Sequence, residues 1–206
     1  MIPMVVITMK LQFKNNNDFD IFKNDLAERL KEREVRGCDN SGYRRSAVKI
    51  LIMNKDMKPH VLLTKRSQKV STHKGQISFP GGGFDEIDGN ILNTAFRETF
   101  EEVGIPQEDI EFIGQFDDYV SLFGFHISCF IGAIDYPYNY NFNKDEIDDY
   151  VEAPLSLFID QKYDRVEYYN HEGKEYRIFF YNYLNYEIWG LTARILTDFA
   201  AKIFAD

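Results

Sequence analysis

The chain has 206 residues, 44% of them hydrophobic and 28% charged, with a formal net charge of −9 at pH 7. That is long enough for one domain with a substantial core and a short added element, and too apolar for a disordered chain. The acidic balance disfavours nonspecific nucleic-acid binding, since a polyanion is repelled, but it leaves room for a small phosphorylated substrate held by a local patch.

Met1–Met9 is apolar, with no basic residue ahead of it and no small-residue cleavage site, so it reads as a strand rather than a signal peptide. The expected location is the cytoplasm. Asp18 to Arg36 carries Phe19, Phe22, Leu26 and Leu30 at helical spacing, with Asp18 as N-cap and Gly37 as stop. Residues 1–40 are therefore expected to form a strand and helix extension, and 41–206 the main domain. Ser46–Met53 and His60–Thr64 read as core strands joined as a hairpin across the polar Asn54–Pro59, and Gln76–Phe79 as a short strand. Asn90–Val103 reads as a helix stopped by Gly104 and Pro106. Downstream, Glu111–Val120, Phe125–Asp135, Val166–Tyr169 and Tyr176–Tyr183 read as strands, and Pro154–Ile159 and Gly190–Phe204 as helices. The sum is an α+β domain. A membrane span is not expected, because even Ile178–Tyr186 is short and interrupted by Asn182 and Asn185. Cys38 and Cys129 are far apart and lack metal-ligand spacing, which argues against a disulfide framework and a zinc site.

Charge is distributed unevenly. Met57 to Phe84 holds five basic residues (Lys58, Lys65, Arg66, Lys69, Lys74) and no acid, whereas Asp85 to Glu102 holds six acids against Arg97 alone. A basic segment running into an acidic one suits a site that binds both phosphate and a divalent cation; two solvated surface segments of opposite sign would look the same. On the helix, Glu98, Glu101 and Glu102 fall on one face and Leu92, Phe96, Thr99, Phe100 and Val103 on the other. Like charges this close cost a few tenths of a kcal/mol per pair, which a hard cation such as Mg²⁺ would offset. Arg97 precedes Glu101 by four residues and is placed to pair with it. Alone, Arg-Glu-x-x-Glu-Glu also fits an ordinary charged helix face. The glycines of Phe79-Pro80-Gly81-Gly82-Gly83 add backbone that can approach an ion or phosphate closely.

From Gly83 through Arg97-Glu98-Thr99-Phe100-Glu101-Glu102-Val103-Gly104-Ile105, the segment resembles the signature of the Nudix hydrolase superfamily. Thr99 stands where an apolar residue is usual, and Gly89 where the first Glu of the signature would be, with Asp88 and Glu86 as neighbours able to take its role. Leu62-Leu63-Thr64-Lys65-Arg66-Ser67, Gly75-Gln76-Ile77-Ser78-Phe79-Pro80-Gly81-Gly82 and Tyr186-Glu187-Ile188-Trp189-Gly190-Leu191-Thr192 are similar to the coenzyme A pyrophosphatase branch, although Ser71 stands where that branch usually has Arg. The resemblance implies an α/β/α sandwich with a mixed β-sheet. It also implies hydrolysis of a nucleoside diphosphate linkage with Mg²⁺ or Mn²⁺, most specifically coenzyme A to 4′-phosphopantetheine and adenosine 3′,5′-bisphosphate. Glu98 and Glu102 are the expected metal ligands, with the Gly83 carbonyl as a further one, and Glu101 is a ligand or the base. Glu146, in the acidic stretch Asp145–Asp149, is a second candidate base. Lys65 and Arg66 are the expected phosphate contacts, with Ser67, Gly75, Gly81 and Gly82 beside them. Alternatives are the same chemistry on ADP-ribose, a dinucleotide or a nucleoside triphosphate, a non-catalytic nucleotide-sensing module, and an acidic protein-interaction domain. The tyrosine-rich Tyr136–Tyr140 and Tyr163–Tyr183 could form a homodimer surface or receive part of a substrate.

Overall fold

Aliphatic runs make the first two strands of the main sheet. In the computed structural model, which describes residues 9, 11–38, 42–70, 73–171 and 173–204, β1 (Arg44–Lys55) and β2 (Lys58–Arg66) form the expected hairpin. Its two turn residues, Asp56 and Met57, both have positive φ, 51° and 57°, the turn geometry whose twist matches a hairpin. β1 also pairs antiparallel with β4 (Gly81–Gly83) and parallel with β7 (Phe125–Ala133). β3 (Ile77–Ser78) and β8 (Ile147–Pro154) pair with β2, while β5 (Glu111–Gln115) and β6 (Tyr119–Val120) pair with β7. Among the described residues this makes one mixed eight-stranded sheet. A second, antiparallel sheet joins β9 (Arg165–His171), β10 (Lys174–Tyr183) and β11 (Tyr186–Trp189).

β1 is buried on both faces, which is why it reads as a nearly unbroken apolar run. Ile50 and Ile52 enter the larger core, which α1 (Asn16–Lys31), the one-turn α3 (Ser156–Ile159) and α4 (Gly190–Ile203) close from one side. Leu51 and Met53 enter a smaller core beneath α2 (Ile91–Val103), with Phe96 and Val103. The result is the expected α/β/α sandwich. Lys49 breaks the apolar run: it is fully buried beneath α2, its ammonium 3.4 Å from the Phe96 ring centroid, and burial pulls its pKa down to about 7.

Several boundaries differ from the sequence expectation. α1 starts at Asn16, because the Asn15 side chain caps it by accepting from the Asp18 N–H at 3.1 Å, and it ends at Lys31 rather than Arg36. Beyond its end, the Arg33 side chain and the Arg36 N–H bind Asp117. Asp117 is fully buried and also bonded by Lys202 at 2.5 Å, and it breaks the expected strand Glu111–Val120 into β5 and β6. The expected helix Pro154–Ile159 begins at Ser156, since Pro154 ends β8, a strand that was not expected. β4 and β11 were not expected either. The strand expected at Met1–Met9 lies outside the described residues, apart from Met9, which is buried and in no strand. Cys129 is buried, Cys38 partly so, and both are free thiols. Among the described residues no helix is long and apolar enough to cross a membrane.

Candidate active site

α2 carries the carboxylates and is held firmly at both ends. The Asn90 side chain caps it by accepting from the Asn93 N–H at 3.0 Å, and Gly104 closes it with a left-handed φ of 72°. Thr99, at a usually apolar position, is accommodated because its hydroxyl donates to the Ala95 carbonyl at 2.6 Å, one turn back. Two residues sit differently from the helical-wheel expectation. Phe100 is 57% exposed, while Glu102 is only 2% exposed, because the line through Glu98 and Glu102 lies against the glycines of β4.

That floor has to be free of side chains. A Cβ on Gly82 would lie 2.4 Å from the Glu98 carboxyl, and one on Gly81 would lie 2.3 Å from the Ala47 carbonyl oxygen. The Gly81 N–H donates to Glu102 Oε2 at 3.1 Å and fixes its direction. Burial pushes the Glu102 carboxyl up to about 8, opposed by the Gly81 N–H and Arg66 and reinforced by the charges of Glu98 and Glu146. Burial also raises Glu98, opposed by Arg97.

Arg97 fans out over the acidic residues. Its Nε and Nη2 donate to Asp88 at 2.7 and 3.1 Å, and Nη2 also donates to the Gly83 carbonyl at 3.0 Å. Its Nη1 donates to Glu98 and to Glu101, both at 2.9 Å. Asp88 also accepts from the Asp85 N–H and the Thr94 hydroxyl, at 3.0 and 2.7 Å, and its Arg97 bonds hold the carboxyl well below the usual carboxylate range. Asp88, beside the Gly89 that departs from the signature, is thus the anchor of Arg97, while Glu86 is exposed. Among the described residues no three His, Cys, Asp or Glu side chains stand in a metal-holding cluster. Arg97 fills the gap between Glu98 and Glu101, and Glu102 turns to Gly81 and Arg66. The donor set still fits a hard divalent cation, because two carboxylates whose charge burial disfavours lie side by side on a floor without side chains.

Arg66 borders this pair. Its Nη1 is 3.5 Å from Glu102 Oε1, and its Nε is buried with no hydrogen-bond partner. The Gly75 N–H, in a residue with φ of 70°, holds the Arg66 carbonyl at 3.0 Å. The N–H of the buried Ser67 donates to the Glu146 carbonyl at 2.7 Å, which brings Glu146 to the same end of the sheet. Lys65 pairs across the sheet with Asp149, and its charge acts on that carboxyl. Ser71 lies outside the described residues. Asn143, which no motif singles out, donates its N–H to the Glu102 carbonyl at 3.0 Å and its side-chain amide to Glu146 at 3.1 Å.

Comparison with known proteins identifies the family. The NUDIX domain family matches residues 43–178. The chain is 34% identical over 161 residues to a protein of Citrobacter koseri named "Uncharacterized Nudix hydrolase NudL", spanning 78% of this chain and 83% of that one. It is 33% identical over 185 residues to the protein of the same name from Enterobacter sp. strain 638, spanning 89% of this chain and 96% of that one. A crystal structure of a C. elegans Ap4A hydrolase binary complex is similar with a TM-score of 0.47 and 18% identity, over 57% of this chain and 84% of that one. The chain belongs to the Nudix hydrolase family, whose enzymes cleave diphosphate linkages in small nucleotide-type compounds.

Proposed function

We propose that the chain hydrolyses coenzyme A or an acyl-coenzyme A to 4′-phosphopantetheine (or its acyl form) and adenosine 3′,5′-bisphosphate, with Mg²⁺ or Mn²⁺ held by Glu98 and Glu102. The observation that carries the reaction type is the pair of the buried Glu102 and the partly buried Glu98 on its glycine floor, with the unpartnered Nε of Arg66 beside it. A site with two desolvated carboxylates and a free guanidinium N–H suits a cation and an anionic phosphate together. Nudix hydrolases generally use divalent metal ions. Such an ion, when bound, supplies neutralisation of the diphosphate charge and a bound water of lowered pKa.

The chain's own residues do the rest. The Gly81 N–H keeps Glu102 directed, Arg97 keeps Glu98 and Glu101 directed, and Arg66 Nε donates to a phosphate oxygen. Glu146 takes the proton of the attacking water. Asn143 holds its carboxylate and its charge reaches both Glu98 and Glu102, whereas the side chain of Glu101 is 51% exposed and turned to Arg97. For coenzyme A the support is the resemblance of Leu62–Ser67, Gly75–Gly82 and Tyr186–Thr192 to that branch. Two of these stretches also meet in space, since the Thr192 hydroxyl donates to the Ile77 carbonyl at 3.0 Å.

The test is turnover of coenzyme A by the full chain with Mg²⁺, beside ADP-ribose, a dinucleotide and a nucleoside triphosphate. Coenzyme A is expected to have the highest kcat/KM. A preference for another member of the panel replaces the substrate, and no turnover of any supports the sensing module instead. Glu102→Gln should lower kcat by about 10²-fold or more with the circular dichroism spectrum intact. An unaffected rate overturns the metal assignment.

A further inference from the structure

We propose that Tyr150, backed by Phe142 and Tyr140, is the platform on which the nucleobase of the substrate stacks; this rests on the nucleoside diphosphate reading above. Four rings from the segment before β8 and from β8 itself form a ladder beside the site. Tyr138 to Tyr140 is 5.6 Å between centroids, Tyr140 to Phe142 5.4 Å, and Tyr140 to Tyr150 5.0 Å. Phe142 and Tyr150 stack at 4.9 Å with planes 23° apart.

The ladder is rigidly tied to the catalytic helix. The Asn141 and Asn143 N–H groups on either side of Phe142 donate to the Val103 and Glu102 carbonyls, both at 3.0 Å. Tyr140 donates its hydroxyl to Glu152 at 2.9 Å. Tyr150 opposes Thr64 on β2, and Arg66 lies two residues further along that strand. Both project on the α2 face: Tyr150 meets rings that pack on the core under α2, and Arg66 reaches Glu102. Glu102, Arg66 and Tyr150 therefore follow one another across the site. Two strand residues advance about 7 Å and the neighbouring strand lies about 5 Å to the side, a diagonal step that a nucleoside 5′-phosphate can bridge with its phosphate on Arg66.

What the far end of this line can recognise follows from its chemistry. Tyr150 remains 38% exposed although one ring face is already covered. The free face offers π-stacking, which every base can use and an aliphatic pantetheine arm cannot. The exposed Asp148 and Asp149 next to it are balanced by Lys65 and Lys144, the latter 5.4 Å from the Phe142 ring centroid, so this end carries no net phosphate-binding charge, and an uncharged ring suits Tyr150 while the phosphate is held at Arg66.

The experiment uses the full chain with Tyr150→Leu, which keeps apolar bulk but no π-face, and Tyr150→Phe, which keeps the ring. Kinetics on coenzyme A with Mg²⁺ are read beside saturation-transfer NMR of adenosine 5′-monophosphate without metal. Y150L should raise KM about tenfold with kcat within about twofold, and should abolish saturation of the adenine H2 and H8 signals, while Y150F behaves as the parent. An unchanged KM in Y150L overturns the platform. If no diphosphate compound is turned over at all, the NMR arm still decides: adenine saturation in the parent that Y150L removes keeps the platform, and its absence in the parent overturns it. Should Y150L not fold, Phe142→Leu, which removes the backing ring, carries the same expectation.

Discussion

Arg97 directs two glutamates because Asp88 directs Arg97. Asp88 accepts four hydrogen bonds, two from the guanidinium, one from the Asp85 N–H and one from the Thr94 hydroxyl, and its side chain is only 2% exposed. Asp88→Ala leaves the buried Thr94 hydroxyl and the Asp85 N–H without this acceptor and frees Arg97 from its anchor. Breaking a buried charged network this way costs about 2–4 kcal/mol, to be read from urea denaturation at pH 7. The pH dependence has a defined sign. The folded carboxyl titrates well below the ordinary value of 3.8, so the unfolded chain binds more protons in that range, and the stabilisation is complete above about 5 and lost as pH falls further. The gap between parent and D88A should therefore narrow in acid. A gap constant down to pH 2 would show that the ion pair is not its source. None of this was legible in the sequence, where the missing signature Glu at Gly89 invited Asp88 or Glu86 as a substitute metal ligand. Nothing in a sequence says which neighbour turns inward.

At the level of elements, legibility followed periodicity. α1, α2 and α4 announce themselves by apolar spacing, and β1, β2 and β7 by aliphatic runs. β8 does not, because only Leu62 to Arg66 of β2 hold it at that end and its start, Ile147 to Tyr150, shows solvent three residues in succession, which reads as an acidic loop. β4 was hidden for the opposite reason. Three glycines read as a turn, yet they pair with Ser46, Ala47 and Val48 as a strand. Two glycines of this strand then have distinct requirements, while a Cβ on Gly83 would meet nothing within 4 Å. Gly81 has φ of 155° and a Cβ there would meet backbone, so Gly81→Ala should lower Tm by several degrees and activity with it. Gly82 has no such positive φ, and the three atoms nearest its Cβ would all belong to the Glu98 carboxyl. Gly82→Ala should thus displace that carboxyl, lowering kcat/KM by about tenfold or more while Tm moves little. Equal losses of Tm in the two variants would contradict the division of labour.

For the whole molecule, the question is whether residues 1–40 are an appendage, as their position ahead of the signature domain suggests. Their contacts argue otherwise. Phe19, Phe22, Leu26 and Leu30 lie in the same core as Ile50, Ile131 and Phe199, and Phe22 stacks on Phe204 at the end of α4 with centroids 6.1 Å apart. Arg29 donates to the Ile203 carbonyl at 2.7 Å, and Lys23 pairs with Glu111 at 2.5 Å. Removal of this segment would uncover the apolar sides of β5 and α4 and leave the fully buried Asp117 with Lys202 but without Arg33 or the Arg36 N–H. Each large apolar side chain contributes about 1.5–3 kcal/mol on burial, and 1 kcal/mol shifts Tm by about 2–4 °C in a protein of this size. Even after the ordering entropy of one helix is offset, a chain beginning at residue 41 should lose about 10 °C or more in Tm, or fail to stay in solution, when compared by scanning calorimetry. The carboxylate site lies on the other face of the sheet, under α2, so any truncated protein that does fold should keep its KM. An unchanged Tm would restore residues 1–40 to the status of a separate extension.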